Sequence, residues 1–169
     1  METTQSLQKQ IMEVFDNFNT LFETVRAELI NAEPMQGSWT IGQLGQHVAL
    51  ATAGLPDKEN KKADRPVNQF EPSIRETFLS DTQKFKSPEF IIPEKKNYEK
   101  KILLTTLENN KELLLRISNE EPLDHLCLGV ELPGWGCLTR YEWLKLIIYH
   151  VQRHTWQLQK LKESFHATE

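Results

Sequence analysis

The chain has 169 residues, of which 38% are hydrophobic and 26% are charged, which fits one soluble globular domain over residues 1–169. Its formal net charge of −4 gives no general attraction to phosphate backbones, so we expect no nucleic-acid partner. No apolar stretch approaches the roughly 20 residues of a membrane span and residues 1–10 lack a signal-peptide pattern, so we expect a cytoplasmic protein, with Cys127 and Cys137 reduced.

The first segment predicts an amphipathic helix over residues 4–31. Its apolar side chains recur at alternating spacings of four and three residues, which is the period of one helix face. They are Leu7, Ile11, Val14, Phe18, Leu21 and Val25. Pro34 and Gly37 then interrupt the pattern, so we expect the helix to stop before them.

A second helix is predicted to begin at Thr40. Thr40 and Gln43 have the spacing of a capping box, in which each side chain bonds the other residue's backbone N–H. His47 lies on the apolar stripe of this helix between Leu44 and Val48. We therefore expect its side chain to point inward.

Residues 54–97 are less regular, because prolines occur repeatedly at 56, 66, 72, 88 and 93. A short helix is predicted over residues 72–84 and a third main helix over residues 97–118. A connection this long joins parallel neighbouring helices rather than a tight antiparallel pair. The glycines and proline within residues 125–136 predict a loop with extended character.

The last main helix is predicted to begin at Thr139, where Glu142 completes a second capping box and is assigned a capping role. Its stripe places His154 toward the core and His150 at the edge of the same face. The apolar members are Leu144, Ile147, Val151, Leu158 and Leu161. Four main helices predict an all-α fold, a four-helix bundle with a long crossover connection between helices 2 and 3.

Three histidines form a candidate metal site. His150 and His154 are one helical turn apart, roughly 6 Å along the axis, and His47 comes from a different helix. Three protein ligands would leave a coordination position open for water or substrate. The alternative is a set of packed, hydrogen-bonded core histidines. His125 and His166 are expected to be surface residues.

The spacing of His150 and His154 matches the zinc-protease helix His-Glu-x-x-His, in which the glutamate is the general base. Here that position is Val151, which cannot accept a proton. The missing glutamate therefore disfavours a zinc protease of this kind.

Four further residues are candidates for a pocket. Trp39 and Trp135 either line it or pack in the core and turns. Arg153 either meets an anionic substrate or makes a surface salt bridge. Gln43 is polar and near His47 in sequence, but glutamine is not a base. The general base is therefore left unassigned.

Trp39-Thr40 followed by His47, then Pro133-Gly134-Trp135, then His150-x-x-x-His154 and Gln157-Leu158, resembles the DinB/YfiT-like superfamily of metalloenzymes. The resemblance extends from the first helix to about Leu161. It implies a four-helix bundle with a long crossover and, often, a homodimer. It also implies one divalent metal ion, usually zinc or nickel, held by His47, His150 and His154.

Some members of this superfamily act as thiol-dependent transferases or isomerases, and many are classed as metal-dependent hydrolases. The resemblance therefore implies a hydrolase that acts on an unknown small-molecule substrate through a metal-bound water. One alternative is an S-transferase that uses a low-molecular-weight thiol as a metal-bound thiolate. The other is a non-catalytic metal-binding or structural bundle linked to stress.

Overall fold

The computed structural model describes residues 3–80 and 87–166, and these residues are mostly helical. The described part holds the α-helices α1 (Thr4–Glu23), α2 (Ile41–Ala51), α3 (Glu71–Leu79), α4 (Lys100–Glu120) and α5 (Arg140–His166). It also holds the strands β1 (Asn60–Lys62) and β2 (His125–Cys127), and 3-10 turns at Ala27–Leu29 and Glu89–Ile91. None of the described helices is long and apolar enough to cross a membrane.

Helix α1 ends at Glu23, so the prediction that it continues to residue 31 was wrong. The Lys100 side chain donates to the carbonyls of Glu23 and Val25, both at 2.9 Å, and so satisfies groups that a longer helix would use. The backbone then adopts an extended conformation at Arg26. This turn buries Ile30, whose carbonyl accepts a 2.7 Å hydrogen bond from the backbone N–H of Gly42.

Helix α2 begins as predicted, and the capping box of Thr40 and Gln43 is confirmed. Gly45 lets this helix lie close to its neighbours. A Cβ atom there would meet Phe22 Cε2 at 2.8 Å and Leu103 Cδ1 at 3.2 Å. The absence of a side chain at Gly45 therefore allows the backbone of α2 to pack directly against α1 and α4.

The long helices bury one continuous apolar core. Helices α1 and α2 each pack against both α4 and α5, and α3 packs on α5. Gly45 lies beside Leu103, and further along both helices Asn110 donates to the carbonyl of Ala49 at 2.8 Å. Helices α2 and α4 therefore run in the same direction, as predicted for helices joined by a long crossover.

The crossover contains more structure than the sequence predicts. β1 pairs antiparallel with β2, and Lys61 lies opposite Leu126, so the extended character predicted after residue 125 is confirmed at its start. The short helix, predicted over residues 72–84, ends at Leu79, and the backbone of Ser80 is extended. Residues 81–84 of that prediction lie outside the described residues. Each strand has only three residues, and those of β1 are all polar and exposed. Such strands lack the alternation of apolar and polar residues by which a strand is recognised in a sequence.

Both cysteines are free thiols. Cys127 is fully buried on β2, and burial is the main reason that its pKa rises to about 12. Cys137 is only partly buried. The Cys127 thiol therefore stays protonated and unreactive near neutral pH.

The Glu142 carboxylate, which is completely buried, joins three parts of the chain. It accepts two hydrogen bonds from the Arg65 guanidinium, at 2.9 and 2.7 Å. It also accepts from the backbone N–H of Phe70 at 2.8 Å and of Thr139 at 2.9 Å. The predicted capping role of Glu142 is thus confirmed, and the same group also binds the crossover to α5.

We expect Glu142→Gln to lower the free energy of unfolding by about 3 kcal/mol, because it leaves Arg65 without its charged partner in a mostly buried site. Urea unfolding followed by circular dichroism measures the change. The exposed Glu163→Gln on the same helix is the control and should stay within about 0.5 kcal/mol of wild type. Equal losses in the two variants would contradict the assignment.

Candidate metal centre

The structure brings the three predicted histidines together. His47 comes from the middle of α2, and His150 and His154 come from successive turns of α5. Their exposed fractions are 2%, 7% and 8%, so all three are buried. The inward position of each histidine follows from the periodicity of its helix, because each histidine lies on or beside the apolar stripe that faces the core.

The Nε2 atoms of His47, His150 and His154 form a triangle with all three sides 3.1 Å long. In a tetrahedral site with metal–nitrogen bonds of about 2.0–2.1 Å, two nitrogen ligands lie about 3.3–3.4 Å apart. The observed triangle is close to this value. One small divalent ion therefore fits the three nitrogens.

The hydrogen bonds on the far side of two rings fix where their protons lie. His47 Nδ1 lies 2.8 Å from the carbonyl oxygen of Ile91, and His154 Nδ1 lies 2.8 Å from Gln157 Oε1. Both oxygens only accept, so each Nδ1 carries a hydrogen and each neutral ring has a bare lone pair on Nε2. The lone pairs of His47 and His154 face each other at 3.1 Å and repel unless a cation, or a hydrogen carried by His150 Nε2, lies between them. The donor set therefore suits a metal ion.

His150 differs from its two neighbours. Its Nδ1 is buried and has no hydrogen-bond partner within the described ranges 3–80 and 87–166. The ring is held instead by its position on α5 and by packing, with Phe78 placed edge-on at a centroid distance of 6.0 Å. Its orientation therefore depends on shape rather than on a hydrogen-bond acceptor.

Burial lowers the pKa of all three imidazoles. The pKa of His154 falls to about 3 and that of His150 falls well below its ordinary value, in both cases mainly by desolvation. Neighbouring histidines and the Arg153 charge lower both further. For His47, the hydrogen bond to Ile91 partly opposes desolvation. Neutral imidazole is the form that binds metals, so protons do not compete for these nitrogens near pH 7.

Two aromatic rings line the cluster. The Trp39 ring lies 5.1 Å from the His47 ring, centroid to centroid, so this predicted pocket residue is beside a candidate ligand. Phe78 contacts His150 from α3, and no sequence pattern marks Phe78 as a site residue. Nothing in the spacing of residues 54–97 indicates which side of the core the crossover will cover.

The other predicted site residues have partners away from the triangle. Gln43 Oε1 accepts from the backbone N–H of Thr40 in the capping box. Trp135 Nε1 donates to Ser73 Oγ at 2.7 Å, in the first turn of α3. Of the two histidines expected at the surface, His125 is partly buried and its Nδ1 lies 2.9 Å from Asn60 Oδ1 between the two strands, whereas the His166 side chain lies outside the described residues.

Arg153 lies between the two α5 histidines in sequence and is directed to the end of α3. Its Nη1 donates to the carbonyls of Phe78 at 3.1 Å and Ser80 at 2.9 Å. These carbonyls belong to the C-terminal end of the helix, where a positive charge is favourable. Arg153 therefore holds the segment that carries Phe78.

A sequence model of the DinB superfamily matches residues 10–158, a range that includes His47, His150 and His154. No significant match was found among curated proteins or among solved structures.

We expect Arg153→Met to lower the free energy of unfolding by about 1.5–3 kcal/mol, because two carbonyls lose a charged donor. Denaturant unfolding measures the total loss, and hydrogen exchange should show faster exchange confined to the amides of α3. The exposed Arg116→Met on α4 removes a cation without removing such contacts and should change neither. Unchanged exchange in α3 would show that Arg153 does not hold this helix.

Proposed function

This chain belongs to the DinB superfamily, and we propose that it binds one divalent metal ion through His47, His150 and His154 as the centre of a hydrolase. The observation that carries the proposal is the triangle of Nε2 atoms 3.1 Å apart. The neutral rings, and the bare lone pairs on Nε2 of His47 and His154, are the state that a metal ion requires. We also propose that α1, α2, α4 and α5 are the four helices of a bundle that encloses this centre.

We propose zinc or nickel as the ion, a choice that rests on the resemblance to the superfamily, whereas the three imidazoles favour transition metals in general. Imidazole nitrogen suits zinc, copper, iron and nickel, whereas magnesium and calcium prefer oxygen ligands. Each of the three residues offers one ligand atom. Three such ligands leave coordination positions for an exogenous group, which is typical of a catalytic rather than a structural site.

When bound, such an ion supplies Lewis acidity and lowers the pKa of a water or thiol that it ligates. The protein's own residues supply the setting. Trp39 and Phe78 cover His47 and His150 with aromatic surface and so restrict the approach of bulk water. The Ile91 carbonyl holds the ring of His47 in orientation.

We expect protein purified without an affinity tag and without chelators to contain close to one divalent ion per chain by elemental analysis. His47→Ala and His154→Ala should each lose the ion and the thermal stabilisation produced by added Zn²⁺ or Ni²⁺. His125→Ala is the matched control, because His125 lies on β2 and bonds Asn60. Metal-free wild-type protein with no thermal shift would contradict the proposal.

The hydrolase proposal predicts that the metal-loaded protein cleaves an ester or amide in a substrate panel without any added thiol. His47→Ala should reduce this rate to background, while His125→Ala should retain it. Turnover that requires a low-molecular-weight thiol would assign the chain to the S-transferase alternative instead. Binding of metal without turnover of either kind would favour the non-catalytic alternative.

We further propose that the protein forms a homodimer and acts on a small molecule. This part of the proposal rests on membership of the superfamily. Light scattering at micromolar concentration should give twice the chain mass of 19.7 kDa. A monomeric mass over the same concentration range would contradict it.

A further inference from the structure

We propose that Gln157 is the positioning residue that fixes the tautomer and orientation of His154 for metal binding, an inference that rests on the proposed function. Gln157 Oε1 lies 2.8 Å from His154 Nδ1. Residues three apart on a helix share one face, so α5 makes this contact without help from another element.

The hydrogen bond between His154 and Gln157 determines which nitrogen of His154 is available to bind a metal ion. A neutral imidazole carries one hydrogen, so the hydrogen that Nδ1 donates to Gln157 leaves the lone pair on Nε2. Nε2 is the atom that lies 3.1 Å from its counterparts on His47 and His150. The other tautomer would place a hydrogen inside the triangle and block the ion. Gln157 therefore selects the tautomer that can bind.

Gln157 is also the orienting group that substitution can test. His47 is oriented by a backbone carbonyl, that of Ile91, which no side-chain replacement removes. His150 Nδ1 has no partner in the part of the chain that the structure describes. Gln157 is exposed whereas His154 is 8% exposed, so replacing Gln157 removes an acceptor and leaves the core intact.

The test compares Zn²⁺ affinity, measured by chelator competition, in the full-length wild type, Gln157→Leu and Gln157→Glu. We expect Gln157→Leu to weaken Zn²⁺ binding by about tenfold, because loss of an acceptor behind a ligating histidine typically costs 10–100-fold. Gln157→Glu keeps an acceptor at the same place and should bind at least as tightly as wild type. Gln159→Leu, at another exposed position of α5, is the matched control and should bind as wild type.

A spectroscopic measurement separates positioning from a general loss of stability. The visible absorption of bound Co²⁺ should shift in Gln157→Leu and return to the wild-type spectrum in Gln157→Glu. Wild-type affinity and spectrum in Gln157→Leu would overturn this inference and leave the proposed function standing. Equal losses in the Leu and Glu variants would also overturn it. Absence of Zn²⁺ binding by the wild type would instead be a failure of the proposed function.

Discussion

Helix α3 is held at both ends by α5, and the arrangement of the crossover depends on this constraint. The backbone N–H of Phe70, just before α3, donates to the buried carboxylate of Glu142. At the other end, the carbonyls of Phe78 and Ser80 accept from Arg153. The negative group thus lies at the N-terminal end of the helix and the positive group at its C-terminal end, which is the favourable order for the helix dipole.

This double attachment explains how a nine-residue helix keeps its place. Isolated helices of this length are marginal in water, so α3 depends on contacts outside itself. Arg65 strengthens the first attachment because its guanidinium neutralises Glu142 in the core. Once both ends are fixed, Phe78 is brought against His150. The candidate metal centre therefore takes one wall from a segment far away in sequence.

Local patterns predicted the parts of the site that depend on one helix at a time. The stripes placed His47, His150 and His154 inward, and the pair Thr139 and Glu142 located the start of α5. Two contacts on the far side of the histidine rings were missed. The Ile91 carbonyl that holds His47 is a backbone group, which every residue has, so no sequence signal could single it out. Gln157 did carry a signal, its i+3 spacing from His154.

Packing of α2 and α5 brings the three imidazoles together, and this bears on how metal binding and folding are linked. Helix α2 lies close to α1 and α4 because Gly45 has no side chain, and α5 presents His150 and His154 from a rigid helix. Ligands positioned by packed helices lose little binding free energy to ordering when an ion binds. An ion that binds only the folded chain stabilises it by mass action. In a centre built this way, a bound ion would also relieve the repulsion between the buried lone pairs of His47 and His154.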